Sequence, residues 1–118
     1  RDGVLKRLTH DHSLVNQLIK AFNISEAEAS ARAGKNVLVQ SLGLDDDVVP
    51  EVLEIEPRSG DLLLLCSDGL SDLCQESSIL AIIGHHAADL RETSKALVDL
   101  ANAAGGRDNV SVILVGFS

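Results

Sequence analysis

The sequence predicts an α/β (α+β) fold in which antiparallel strands are covered by helices. Three observations lead there. Leu53 and Ile55 alternate with Glu54 and Glu56, the period of a strand with one wet face. Leu62–Cys66 is apolar at every position, as in a strand sealed on both faces. Val110–Val115 is rich in β-branched residues and bounded by turn formers.

Taken in order, Arg1-Asp2-Gly3 reads as a hairpin turn and Val4–Leu8 as the second arm of that hairpin. The sequence has no initiator Met and reads as a piece of something longer. Asp11 or Ser13 can cap a helix in which Leu14, Val15, Leu18, Ile19 and Phe22 form one apolar stripe. His10 and His12 flank Asp11 in its entry and are read with the cap rather than as metal ligands. Ser25-Glu26-Ala27-Glu28 is a capping box opening a second, short helix that Gly34 can close. Asn36–Leu42 reads as a strand, Asp45-Asp46-Asp47 as a solvated acidic loop, and Val48–Glu56 as a further extended segment. Pro57–Asp61 turns the chain into the Leu62–Cys66 strand, which is expected at the centre of the sheet, with Asp61 bonding amides of the turn. Helices are expected over Glu76–Ile83 and Leu90–Ala104, with His85-His86 near the end of the first and Gly105-Gly106 ending the second.

Composition narrows the function. The 118 residues carry 18 acidic against 10 basic side chains, a net charge of -8, which argues against a nucleic-acid partner. Hydrophobic residues make up 45%, enough for a folded core, yet no apolar run reaches the roughly 18 residues of a membrane span. No membrane partner is therefore expected, and the chain reads as soluble and cytoplasmic. Cys66 and Cys74 match neither a CxxC pair nor a disulfide framework and read as reduced thiols.

Two acidic residues stand out by position. Asp68 follows the Leu62–Cys66 strand, and Asp108 precedes the final one. If the two strands are antiparallel neighbours, both carboxylates reach one rim, where hard oxygen donors suit Mg²⁺ or Mn²⁺. Gly69 lets the backbone turn sharply beside them. The pattern equally allows Asp68-Gly69 as a plain tight turn and Asp108-Asn109 as a loop. Asp72, four residues beyond Asp68, either orients water near such an ion or caps the helix near Glu76.

Four blocks taken together narrow this choice. Leu8-Thr9-His10-Asp11-His12-Ser13, Leu42-Gly43, Gly60–Asp72 and Gly106-Arg107-Asp108-Asn109-Val110-Ser111 resemble, in order, the PPM (type 2C) metal-dependent Ser/Thr protein phosphatases, bacterial members above all. The resemblance implies the C-terminal half of a four-layer αββα sandwich, with residues 1–118 as the C-terminal portion of the catalytic domain. It implies Asp68 and Asp108 as ligands of a binuclear Mn²⁺/Mg²⁺ centre with a third metal position near Asp68, and Gly69, Asp72 and Asn109 as residues around it. A bridging water would attack a phosphoserine or phosphothreonine of a phosphoprotein substrate directly, without a phosphoenzyme. Residues 23–47 resemble a flap beside that centre. A signalling kinase is among the proteins that such a phosphatase would regulate.

The family's Asp-Gly-His-Gly block, its phosphate-binding Arg and its Gly-Asp-Ser-Arg strand are not in this sequence. The isolated chain is accordingly expected to be inactive, completed by the missing N-terminal half or by another copy of itself. The alternative is a non-catalytic half-domain that serves as an interaction module through its open sheet edge.

Overall fold

The computed structural model describes residues 1–34, 37–43, 46–86 and 88–118. These form two compact units, residues 7–54 and residues 1–6 with 55–118.

The first unit is built on two helices, α1 (Leu14–Phe22) and α2 (Glu26–Ala33), which pack together. Ser13 rather than a histidine caps α1, its hydroxyl accepting the Asn16 N–H at 3.3 Å. Asn23 ends the helix in the left-handed region, a conformation asparagine tolerates. The capping box of α2 is complete: the Ser25 hydroxyl accepts the Glu28 N–H, and the Glu28 carboxylate accepts the Ser25 N–H. The Ser25 N–H, with the Ser25 hydroxyl, bonds to the Glu28 carboxylate and holds its pKa below the ordinary value. Gly34 closes α2 with φ +74°. His10 is tied elsewhere, its N–H donating to Glu51 at 3.0 Å.

The second unit holds the sheet. β1 (Leu62–Cys66) and β2 (Val112–Gly116) are antiparallel, with Leu64 opposite Leu114 and Cys66 opposite Val112. α3 (Asp68–Ser71) follows β1 directly, then α4 (Glu76–His86) and α5 (Leu90–Ala103). α5 packs against β2, α3 and α4. The core is Leu70, Cys74, Ile79, Leu97 and Ala101, flanked by Leu64, Val112 and Leu114 from one face of the sheet. Burial pushes the Cys74 thiol pKa up. Asp89 caps α5 by accepting the Arg91 and Glu92 N–H groups, and the fully buried Thr93 donates its hydroxyl to the Asp89 and His86 carbonyls. A buried hydroxyl satisfied in this way carries no desolvation penalty.

Several expected strands do not form. Val4–Leu8 and Val48–Glu56 are irregular, with Leu53 and Ile55 exposed. Of the expected Asn36–Leu42 strand the described residues keep an isolated antiparallel bridge between Ser13 and Leu38; Asn36 and Asp45 lie outside the described residues. Extended backbone becomes sheet only where a second strand accepts its hydrogen bonds, and among the described residues Val4–Leu8 and Val48–Glu56 pair with no strand. The turn before Val4 does form, with Asp2 and Gly3 both at positive φ. β1 pairs with β2 alone among the described strands, so it is not central here. Nor is it sealed on both faces, since Leu65 is 47% and Ile113 61% exposed. Leu63, Leu65, Ile113 and Val115 form this outer apolar face.

The Pro57–Asp61 turn is fixed by Asp61. Its carboxylate accepts a two-pronged bond from the Arg1 guanidinium and the Arg58 N–H at 2.7 Å. These partners hold the Asp61 carboxyl far below the carboxylate range.

Two outcomes test this packing. Leu97→Ala is expected to cost about 2–5 kcal/mol in urea unfolding, because it opens a cavity at the centre of the core. Asp61 has a folded pKa below its unfolded value of about 3.9, so its contribution is present above that value and lost as pH falls through the folded one. Asp61→Asn should therefore be less stable than the parent at pH 6, with the gap closing below about pH 4.

Candidate functional site

The antiparallel register decides where the two singled-out carboxylates go. With Cys66 opposite Val112, the chain leaves β1 towards Asp68 at the same end from which it enters β2 past Asp108. Both residues are exposed at this rim.

Ser67 makes the junction. Its N–H donates to the Ser111 carbonyl at 3.0 Å, as the next rung of the ladder. The reciprocal rung would bond the Ser111 N–H to the Ser67 carbonyl. That carbonyl instead accepts the Leu70 N–H at 3.1 Å and starts α3. The Ser111 N–H is taken by the Ser67 hydroxyl at 3.0 Å, and the same hydroxyl donates to the Asn109 carbonyl at 3.0 Å. One side chain thus lets the strand end and the helix begin without an orphaned amide.

Gly69 completes the joint. A Cβ at this position would lie 2.4 Å from the Asn109 carbonyl oxygen. The close approach, not a positive φ, is what demands glycine. Leu70, fully buried, anchors the one-turn helix α3 in the core.

Asp68 occupies the first position of α3, and no hydrogen bond or ion pair engages its carboxylate among the described residues. Asp108 accepts the Asn109 N–H on Oδ1 at 2.7 Å, which orients the carboxylate from its own loop. Asp72 ends α3, its N–H donating to the Asp68 carbonyl at 2.8 Å, so it stands one turn beyond Asp68. Of the expected residues, Asp68, Gly69, Asp108 and Asn109 therefore lie at one rim, while Asp72 stands one helical turn beyond Asp68. Among the described residues no group of three His, Cys, Asp or Glu side chains forms a ready-made metal cage. A donor set of two open carboxylates fits a hard cation that keeps several waters, as Mg²⁺ does. Ser67 was not among the residues picked out from sequence, because a serine before Asp-Gly reads as turn composition. Only the β1–β2 register reveals what its hydroxyl bonds. His85 and His86, whose rings lie tilted with centroids 4.6 Å apart at the end of α4, belong to no such cluster among the described residues.

The fold and rim define an α/β protein with its acidic groups at the ends of adjacent antiparallel strands. No family model matches the sequence. The chain is 42% identical over 112 residues to the protein phosphatase PhpP of Streptococcus pneumoniae, covering 95% of this chain and 45% of that protein. The structure of the Streptococcus agalactiae serine/threonine phosphatase superposes on all of this chain and 48% of that one, with TM-score 0.89 and 36% identity. The catalytic domain of the phosphatase PstP, in complex with two manganese ions, matches 97% of this chain and 46% of that one, with TM-score 0.78 and 34% identity. The likeness to the PPM (type 2C) Ser/Thr phosphatases, which have an α/β sandwich fold, thus holds in both sequence and structure across essentially the whole chain. The chain spans about half the length of the curated relatives it matches.

Gly69→Ala is expected to destabilise by about 1–3 kcal/mol, because the new methyl meets backbone that must shift. Urea unfolding with amide shifts at Asn109 and Val110 checks this; a change below about 0.5 kcal/mol would contradict it.

Proposed function

We propose that this chain forms the C-terminal half of the catalytic domain of a Mn²⁺/Mg²⁺-dependent protein phosphatase acting on phosphoserine and phosphothreonine. The single observation that carries the reading is the β1–β2 pairing, which brings Asp68 and Asp108 to one rim. The similarity to phosphatases along the chain supports it, as does a neighbour holding two manganese ions.

In this reading Asp68 and Asp108 are metal ligands. Asp68 offers a carboxylate that no other group occupies among the described residues, and Asp108 keeps Oδ2 directed by the Asn109 N–H on Oδ1. When bound, a metal pair supplies an activated water and offsets the charge that develops on the phosphoryl oxygens. The chain's own part is to hold the two carboxylates at a fixed separation, through Gly69 and the β1–β2 ladder, so that little reorganisation accompanies metal binding. Asp72 orients water at the rim. By the family resemblance residues 23–47 are the flap, in which Ser25–Gly34 biases the choice of phosphoprotein.

Two carboxylates alone leave the site incomplete, so the remaining ligands come from a further portion of polypeptide. The outer face of Leu63, Leu65, Ile113 and Val115 favours this, because an α/β sandwich covers such a face with a second sheet. Among the described residues no helix is long and apolar enough to cross a membrane. The acidic chain, with Cys66 and Cys74 outside any disulfide, suits a cytoplasmic signalling enzyme.

The test is Mn²⁺-dependent hydrolysis of p-nitrophenyl phosphate and a phosphothreonine peptide by the complete polypeptide carrying this sequence. Asp68→Asn and Asp108→Asn should each lower turnover by roughly 100-fold or more with the circular dichroism spectrum unchanged. Full Mn²⁺-dependent turnover in either variant would remove that residue from the ligand set.

A further inference from the structure

We propose that Ser67 is a positioning residue for the metal centre: its hydroxyl holds the Asp108–Asn109 loop at the separation from Asp68 that lets both carboxylates bind one cluster. The inference rests on the reading of Asp68 and Asp108 as ligands.

The Ser67 hydroxyl bridges the two ligand-bearing segments, and it bonds both ways. It donates to the carbonyl of Asn109, the residue after Asp108, and accepts from the N–H of Ser111. Ser67 itself precedes Asp68. Each carboxylate is therefore one residue away from an atom held by this hydroxyl. Removing the hydroxyl leaves the Ser111 N–H without its acceptor, because the Ser67 carbonyl is engaged by Leu70. The two segments must then part to admit water or the first turn of α3 must open. Either response changes the spacing of Asp68 and Asp108 without touching a carboxylate. Groups that orient ligands in this way typically contribute 10–100-fold to metal affinity.

The experiment measures Mn²⁺ affinity by electron paramagnetic resonance, and amide hydrogen exchange at Ser111, in the complete polypeptide carrying Ser67→Ala, Ser67→Cys or Ser67→Thr. Ser67→Ala is expected to accelerate exchange at Ser111 and weaken Mn²⁺ binding by about tenfold or more. Ser67→Thr, which keeps the hydroxyl, should restore both. Ser67→Cys keeps the side-chain volume but bonds weakly, and should show the same loss as alanine even if the alanine variant folds poorly. Asp68→Asn in the same assay separates the two claims. If it weakens Mn²⁺ binding while Ser67→Ala and Ser67→Cys do not, the positioning role of Ser67 is overturned. If Asp68→Asn itself leaves affinity unchanged, the ligand reading falls and the role of Ser67 falls with it.

Discussion

The exchange of hydrogen bonds at Ser67 is the constraint on which the rest of the site depends. A strand that ends by turning straight into a helix asks one carbonyl to serve both the ladder and the first helical turn. Here the Ser67 carbonyl goes to the helix and its hydroxyl to the ladder. The price of that arrangement is a crowded joint, and Gly69 relieves it by leaving room for the Asn109 carbonyl. The relative placement of Asp68 and Asp108 is thereby a property of the backbone, present before any ligand arrives. Such preorganisation spares a metal site the cost of gathering its ligands.

The core explains why a site at an exposed rim can hold its shape. α3 is only four residues long and would not persist alone. Leu70 seats it against Leu97 and Ala101 of α5, and α5 in turn lies on β2. The segments bearing Asp68 and Asp108 therefore both rest on one helix. The carboxylates themselves stay open to solvent, as the proposed cation binding requires. On the other side of the sheet, Leu65 and Ile113 remain exposed, as expected of one layer of a sandwich.

Much of this was legible in the sequence because the signals were local. The Ser25–Glu28 capping box, the Gly34 stop, the Asp2-Gly3 turn and the Leu62–Cys66 strand formed where residue type alone placed them, and the final strand formed at Val112–Gly116, two residues later than its expected start at Val110. The joint approach of Asp68 and Asp108 was legible only conditionally, since it required that β1 and β2 be antiparallel neighbours. What could not be read depended on partners distant in sequence. Val4–Leu8 and Val48–Glu56 have strand composition, but a strand is defined by a neighbour. Leu62–Cys66 looked sealed on both faces, yet an apolar pattern reports the environment a segment suits and not which elements supply it. Ser67 stayed hidden for the same reason, because its role exists only in the register with Ser111. The PPM resemblance bridged part of this gap, linking four short blocks that pattern alone left as turns and loops.

The central claim is that Asp68 and Asp108 together bind a divalent cation. Anomalous diffraction at the manganese edge from crystals of the complete polypeptide grown with Mn²⁺ tests it most directly. The account predicts a manganese peak at the rim between β1 and β2, bonded to carboxylate oxygens of both residues. Manganese bound only elsewhere, with both carboxylates hydrated, would contradict it.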